Sequence, residues 1–422
     1  MGQVAHAKTM TASIIRLLPE PGPVTPEQIA RMVRDAKTEA RACPDAAGQE
    51  FCALLSQALL QDARARNFPD LQALGFWLRP ANIAAMLRDH LLTPPHCLLA
   101  PAGVVFMIPP GNVDALFGYA APLALLCGNI VVVRLSGAAK PAQELLAALM
   151  GEALRQTPSL HRRLILLRYG HDDAVTAELS ALCDLRLVWG GDATVGHIRQ
   201  LPLPSLAQQI GFGDRFSAAA LNAEVYNRAD EAVRAQLTGH FYNDIYWYDQ
   251  MACAAPRLLF WIGSKPASEQ AEADFYPRLA AYAAARNYQP AAGENIAKLN
   301  SVYLGLHDLA VASYRVYGPA LSVLTLQDLR EFSAFKTVNY GYGMLASVTL
   351  LDFASIAVDA ERRDQTLTHW GFTPEAVTAL AQACGGRGYD RIVPAGQALN
   401  FDPVWDGCNL FTSMTRAVRI AA

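Results

Sequence analysis

The sequence predicts an α/β protein with two domains, each built on a parallel, Rossmann-like sheet. Three observations predict it. The chain has 422 residues, more than one hydrophobic core usually serves, so two domains are the starting expectation. Apolar residues make up 52% and charged residues 17%, ample material for large buried cores and unlike the composition of disordered chains. Short β-branched runs alternate with helical periodicity through two successive stretches, the pattern of βαβ units and parallel sheets.

The elements follow in order. From Thr25 to about Leu92 the pattern is helical, with apolar residues at three- and four-residue spacing in EQIARMVRDA, EFCALLSQALL and ANIAAMLRDHLL. Thr25-Pro26-Glu27 reads as a helix start, with proline in the first turn. The first alternation then runs strand 104–108, helix 115–127, strand 130–134, helix 142–155, strand 164–167, helix 174–182, strand 185–189 and helix 194–200. Open parallel sheets bind ligands at the carboxyl ends of their strands, so this half is the candidate nucleotide-binding domain. The second alternation runs strand 216–221, helix 230–242, strand 257–262 and helix 269–286, with further strands near 323–326 and 346–351. The expected domains are 1–213, holding the N-terminal helices and the nucleotide-binding candidate, and 214–390, holding the second alternation. The segment 391–422, rich in glycine and proline at its start, is expected to return to the cofactor domain or to form an oligomer interface.

Composition also excludes classes of partner. The net charge is −3 and the pI about 6.3, so no basic field points to nucleic acid or an anionic membrane. The most apolar stretch, 116–133, is interrupted by Pro122, Gly128 and Asn129. It reads as helix, turn and strand; a membrane span needs about 20 predominantly apolar residues. Eight cysteines occur without any CxxC spacing, so no zinc or other metal site is expected. Scattered along a long chain with no secretory leader, they read as reduced thiols of a cytoplasmic protein.

Three segments carry candidate chemistry. Pro109-Pro110-Gly111-Asn112 follows a strand and precedes a helix. The prolines stiffen this turn, Gly111 permits close ligand approach, and the Asn112 amide could donate to a developing oxyanion. Trp189-Gly190-Gly191-Asp192-Ala193-Thr194-Val195-Gly196 is again a strand end turning into a helix, where glycines admit a cofactor and a helix amino terminus favours anions. In Phe241–Trp261, Cys253 sits in a loop before a hydrophobic strand, flanked by alanines and preceded by Asp249-Gln250. A thiolate there has room for a substrate carbonyl. Each segment alone has a plainer reading, as an ordinary turn or a packed thiol.

Taken together, in this order, the segments resemble the aldehyde dehydrogenase superfamily. Pro110–Asn112 resembles its catalytic-asparagine turn, Gly128-Asn129-Ile130-Val131-Val132 its Gly-Asn-strand, Trp189–Gly196 its Phe-Thr-Gly-Ser-Thr-Glu-Val-Gly motif, and Tyr317-Gly318-Pro319 its Phe-Gly-Pro. A narrower resemblance is to the LuxC-type fatty-acyl reductases. It rests on Phe212–Ser217, Tyr242-Asn243-Asp244, Asp249–Cys253, Gly388–Pro394 and Trp405-Asp406-Gly407, and it runs from about Pro101 to the end of the chain.

The resemblance implies two Rossmann-like domains with the active site between them. It also implies an acyl-CoA reductase that takes an acyl group from a thioester onto Cys253 and releases it as an aldehyde at the expense of NAD(P)H. Cys253 would be the nucleophile, and Asn112 with the Cys253 amide would hold the oxyanion. Pro109, Pro110, Arg134, Ser136, Gly190, Gly191, Asp192, Gly213 and Pro319 are the implied cofactor contacts. An acyl-CoA or an acyl-transferring protein is the implied partner, and a homo-oligomer the implied assembly.

Departures from the superfamily pattern sharpen this. Hydrolytic members carry a water-activating glutamate in Glu-Leu-Gly-Gly-Lys, and Gly211 takes that place here, which favours a reductase. The family's Lys-Pro-Ser-Glu corresponds to Arg134-Leu135-Ser136-Gly137. Loss of the acid and gain of Arg134 favour NADPH over NADH. Arg315 stands where a ribose-binding glutamate is expected. His240 and Asp214 are secondary candidates near the nucleophile, and Tyr246-Trp247-Tyr248 reads as core packing before tunnel lining. The alternatives are an ordinary aldehyde-oxidising dehydrogenase and a non-catalytic, acyl-holding subunit.

Overall fold

A computed structural model describes residues 14–39, 41–111, 113–338 and 341–421. The chain divides into two compact units: 1–213 with 401–422, and 214–400.

The first unit is built on a seven-stranded sheet. Its order is Gly22–Val24, Ile14–Leu18, Leu164–Arg168, Ile130–Leu135, Val104–Ile108, Leu185–Trp189 and Gln208–Phe212. The last five are parallel to one another, and the first two add an antiparallel edge. Every residue of Val104–Ile108 is buried, because helices cover both faces and the strand must be apolar throughout. Odd residues such as Val105 and Met107 join one core and even residues such as Val104 and Phe106 the other.

The expected helical start holds. Helix Pro26–Lys37 is capped reciprocally: the Gln28 amide donates to Thr25 Oγ1 at 3.3 Å, and the Thr25 amide donates to Gln28 Oε1 at 2.9 Å. Helices Ala46–Gln61, Pro69–Trp77 and Pro80–His90 follow. Two parts of this sheet carried no signal. Ile14–Leu18 is a short apolar run that periodicity cannot assign. Gln208–Phe212 is a half-exposed edge strand with two glutamines and a glycine.

The second unit carries another seven-stranded sheet. Its order is Val311–Tyr317, Leu321–Leu326, Met344–Leu350, Leu258–Ile262, Phe216–Asn222, Asp364–Trp370 and Arg391–Pro394. All pairs are parallel except the edge hairpin Val311–Tyr317 with Leu321–Leu326. Helices Glu231–Tyr246, Lys265–Ala285, Ala292–Asp308 and Pro374–Cys384 accompany it.

Asp364–Trp370 escaped the sequence reading for a physical reason. Asp364, Gln365, Thr366 and Thr368 are all buried, so the inward pattern is polar. Lys336 answers the Asp364 carboxylate at 2.9 Å. Strand Arg391–Pro394 pairs with Asp364–Trp370, so the chain turns back to the first unit only at Phe401. There Trp77 Nε1 donates to the Phe401 carbonyl at 3.1 Å. Leu410, Phe411 and Met414 enter the first unit's core.

Candidate active site

The cysteine loop is held from beneath. After helix Glu231–Tyr246 the backbone passes through two consecutive left-handed residues, Asp249 (φ 52°) and Gln250 (φ 61°). Each such non-glycine conformation costs roughly 1–3 kcal/mol, so the surroundings must enforce it. They do so through Gln250, which is fully buried. Its Nε2 donates to the Pro256 and Met344 carbonyls, both at 2.8 Å, and its Oε1 accepts the Gly343 amide at 3.0 Å. The Tyr342 amide donates to the Asp249 carbonyl at 2.7 Å.

Three residues on, Cys253 presents an exposed side chain. Its carbonyl accepts the buried Ser217 hydroxyl at 2.7 Å, and Ser217 Oγ in turn accepts the Thr366 amide at 3.2 Å. The Arg257 amide donates to the Ser217 carbonyl at 2.9 Å. An exposed thiol thus rides on a main chain fastened to two interior strands of the sheet.

The other motifs of this unit gather around that loop. Tyr246 is buried in the core and its hydroxyl donates to the Ala320 carbonyl at 3.2 Å. Gly343 (φ 80°) must lack a side chain, since a Cβ would lie 1.7 Å from the Ala320 oxygen. These contacts tie the Tyr317-Gly318-Pro319 turn to the cysteine loop, and Lys298 Nζ holds the Pro319 carbonyl at 2.5 Å.

Asp244 is buried and accepts the Gly396 and Ala398 amides at 2.7 and 2.9 Å. Burial pushes its carboxyl up to about 7 against those two bonds and the nearby Arg391. Arg391 donates to the Ala398 and Asn400 carbonyls, both at 3.0 Å. Asp390 pairs with Arg215 and, at 2.8 Å, with Arg362. The LuxC-like motifs are therefore largely mutual fasteners.

The secondary candidates lie as follows. His240 packs against Gly396, whose added Cβ would sit 2.9 Å from the histidine Cβ. Trp247 is half-exposed and Asp214 exposed. Arg315 is exposed on the edge strand, where its charge acts on the half-buried Glu272 carboxyl.

In the first unit, Ile130–Leu135 and Leu185–Trp189 flank Val104–Ile108 on opposite sides. The connections diverge there, which makes the carboxyl end of Val104–Ile108 a topological switch point, the usual ligand crevice of open α/β sheets. Pro109, Pro110 and Gly111 leave from it. Asn112 lies outside the described residues.

Lys140, which the sequence reading missed, bonds the Gly111 carbonyl and pairs with Asp114 at 3.1 Å. It ties the exit of Ile130–Leu135 to the proline turn. The only sequence signal for it is a lysine just ahead of Pro141 at a helix start.

The Gly190 amide donates to the Phe212 carbonyl at 3.1 Å, and Trp189 stacks on Phe212 at 4.7 Å. Helix Asp192–Gln200 starts at Gly191, with the Asp192 carboxylate in its first turn. Gly213 lies against Asp192, whose Oδ1 would be 2.4 Å from an added Cβ. Arg134 donates to the Gly170 carbonyl at 2.9 Å and lies over the Tyr169 ring. Ser136 is half-buried beside it, and Gly137 abuts Gly170, its added Cβ falling 3.3 Å from that Cα.

Gly211 sits in the edge strand against helix Asp192–Gln200. A Cβ there would meet Val195 Cγ1 at 2.4 Å. A larger residue at position 211 would crowd the buried Val195.

This fold, with its glycine turns and an exposed, clamped cysteine, defines an oxidoreductase of the aldehyde dehydrogenase type. The chain resembles the aldehyde dehydrogenase KauB from Pseudomonas aeruginosa (13% identity, TM-score 0.68, 99% of this chain and 95% of that one). It also resembles the P. syringae indole-3-acetaldehyde dehydrogenase AldA solved with NAD+ and IAA (15%, 0.65, 97% and 92%) and HpcC from Thermus thermophilus (14%, 0.63, 93% and 84%). No curated protein sequence matches the chain. Residues 52–284 match the acyl-CoA reductase (LuxC) family, and the chain belongs to that family.

Proposed function

We propose that this protein reduces an acyl thioester to an aldehyde through an acyl group carried on Cys253, with NADPH as the preferred reductant. The observation that carries the reading is the exposed Cys253 on a loop immobilised by Gln250 and Ser217. A fixed nucleophile of that kind converts encounter into a near-attack geometry.

Cys253 Sγ bonds to the thioester carbonyl carbon, and the oxyanion is held by the Cys253 amide and Asn112. One such donor contributes roughly 3 kcal/mol. The carrier thiolate then leaves. When bound, NADPH supplies the hydride that makes the acyl carbon tetrahedral again. Cys253 next departs as thiolate and the aldehyde is released. Gly211, packed on Val195, offers no base to bring water to the acyl-enzyme. General bases typically contribute about 10²–10⁴-fold, so the ester persists for reduction.

The first unit fits a dinucleotide. Gly190 and Gly191 are the proposed close-approach residues for the cofactor, with Asp192, Pro109, Pro110 and Gly213 as the further proposed contacts in this unit. Pro319, on its turn in the second unit, is the proposed nicotinamide-side contact. Gly137, in the place of the family's acid, brings no negative charge against a 2′-phosphate. Arg134 adds positive potential there, although its guanidinium is already engaged by Gly170. An acyl-CoA or an acyl-carrying protein is the proposed donor, and a homo-oligomer the proposed assembly. Among the described residues no helix is long and apolar enough to cross a membrane.

The test is NADPH consumption with a panel of acyl-CoAs, paired with intact-protein mass after incubation without cofactor. Acyl adducts on Cys253, and loss of turnover in Cys253→Ala with cofactor binding kept, are expected. Turnover in Cys253→Ala would refute the mechanism. Aldehyde oxidation without thioester reduction would favour an ordinary dehydrogenase, and adducts without turnover an acyl-holding subunit.

A further inference from the structure

The eight cysteines read from the sequence as isolated thiols, yet two of them meet. Cys43 and Cys127 are 84 positions apart, and the structure lays one chain segment against the other on both sides of them. The Asp45 amide donates to the Leu126 carbonyl at 2.8 Å. On the other flank Gly128, in a left-handed conformation (φ 80°), abuts Ala42 so closely that a Cβ would fall 2.3 Å from the Ala42 oxygen.

With Asp45 bonded to Leu126 and Ala42 packed on Gly128, the segments that carry Cys43 and Cys127 lie directly side by side. A disulfide needs Cα atoms roughly 4.4–6.8 Å apart, a separation that segments in contact on both sides can supply. Each thiol acts on the other's titration, Cys127 lowering that of Cys43 and Cys43 raising that of Cys127.

From this geometry we propose that Cys43 and Cys127 are a redox-active thiol pair, a modification site that closes to a disulfide when a hydroperoxide reaches the protein. The two sulfurs are suited to different halves of the reaction. Cys43 is half-buried, and the neighbouring Cys127 holds its thiol below the usual range, so it is the accessible thiolate. Cys127 is fully buried in the core, and burial pushes its thiol up. It is the resolving group.

In the first step Cys43 thiolate attacks the peroxide. An S–O bond forms, the O–O bond breaks, and water leaves after protonation. In the second, Cys127 sulfur attacks the Cys43 sulfenic acid. The S–S bond forms, the S–O bond breaks, and the Cys127 proton leaves with the hydroxide as water. Two thiols and one hydroperoxide give one disulfide, water and the corresponding alcohol or second water.

The location predicts the consequence. Cys127 and Gly128 lead into the amino end of strand Ile130–Leu135, the opposite end from Arg134 and Ser136. Asp45 caps helix Ala46–Gln61 and pairs with the buried Arg163 at 2.8 Å. A bond here fastens the N-terminal helices to the central sheet by closing a long loop, which stabilises without touching the strand ends that face ligands. The proposal does not rest on the acyl-reductase reading, because its readout is chemical linkage and melting.

The experiment treats the full-length reduced protein with limited hydrogen peroxide, blocks remaining thiols by alkylation, and digests it for peptide mass spectrometry. The expected result is a Cys43–Cys127 crosslinked peptide, reversed by dithiothreitol, with a melting midpoint raised by roughly 5 °C or more. Neither appears in Cys43→Ser. Cys43→Ser should melt close to the reduced wild type, and Cys127→Ala serves as the control for the buried position. Cys43 driven to sulfinic acid with Cys127 still alkylatable under denaturation would overturn the proposal. So would oxidation at other cysteines while both of these remain thiols.

Discussion

Ser217 Oγ lies 2.7 Å from the Cys253 carbonyl oxygen and donates to it. The hydroxyl comes from the strand Phe216–Asn222 and is itself fixed by the Thr366 amide of the neighbouring strand. The orientation of the Cys253 main chain is therefore referred to the middle of the second sheet. We expect Ser217→Ala to slow Cys253 acylation by about 10–100-fold, the scale of a small misplacement of a reacting group. Cofactor affinity should be unchanged, and Ser217→Thr should restore most of the rate. Single-turnover acylation rates for the three proteins check this; equal rates in wild type and Ser217→Ala would remove Ser217 from the positioning apparatus.

Gln250 stabilises the same loop through three bonds to main-chain groups. Replacement by alanine strands the Pro256 and Met344 carbonyls and the Gly343 amide. A buried polar group left without a partner costs about 1–3 kcal/mol, so Gln250→Ala is expected to lose about 3 kcal/mol or more. Denaturant titration of wild type and variant measures the difference, and a loss under about 1 kcal/mol would contradict the clamp.

Placing a glutamate at position 211 should not create a hydrolase. A side chain there overlaps Val195, and overpacking of this kind costs typically about 1–3 kcal/mol. Gly211→Glu should melt lower than wild type with no gain in release of free acid from the acyl-enzyme. A gain in acid release would mean that the strand can shift to admit a base.

Asp244 gives a pH signature. Its folded carboxyl titrates at about 7, against a reference of 3.8. The folded state therefore binds a proton that the unfolded chain has already released. Stability from this group is fully present below about pH 4, falls as pH rises towards 7, and is flat above. The total is on the order of a few kcal/mol. Asp244→Asn carries no such charge, so the stability difference, variant minus wild type, should grow over that window. Chemical denaturation of both proteins at several pH values between 4.5 and 8 measures it. A constant difference would mean that the two amide bonds from Gly396 and Ala398 outweigh burial.

Much of this was legible in the residues. The strands at 104–108 and 258–262 are apolar throughout, and those at 130–135 and 185–189 carry one arginine each, because both faces of the sheets are covered. Thr25 announced the first helix because its cap is purely local. The strand Asp364–Trp370 was illegible, since its buried side chains are polar and are matched by partners such as Lys336, 28 residues away. Lys140 was illegible for a related reason: its value lies in reaching Gly111, which no local pattern encodes.

The sequence by itself determined the doubly alternating architecture, the family, and Cys253 as the candidate nucleophile, because periodicity and short motifs are written in neighbouring residues. Only the tertiary structure decided what each motif residue does. Gln250, Ser217 and Asp244 act as fasteners rather than reactants, Gly211 is demanded by Val195, and Cys43 finds Cys127. The physical reason is that hydrogen bonds and close contacts depend on separations of a few ångströms, which the folded chain alone creates between residues distant in sequence.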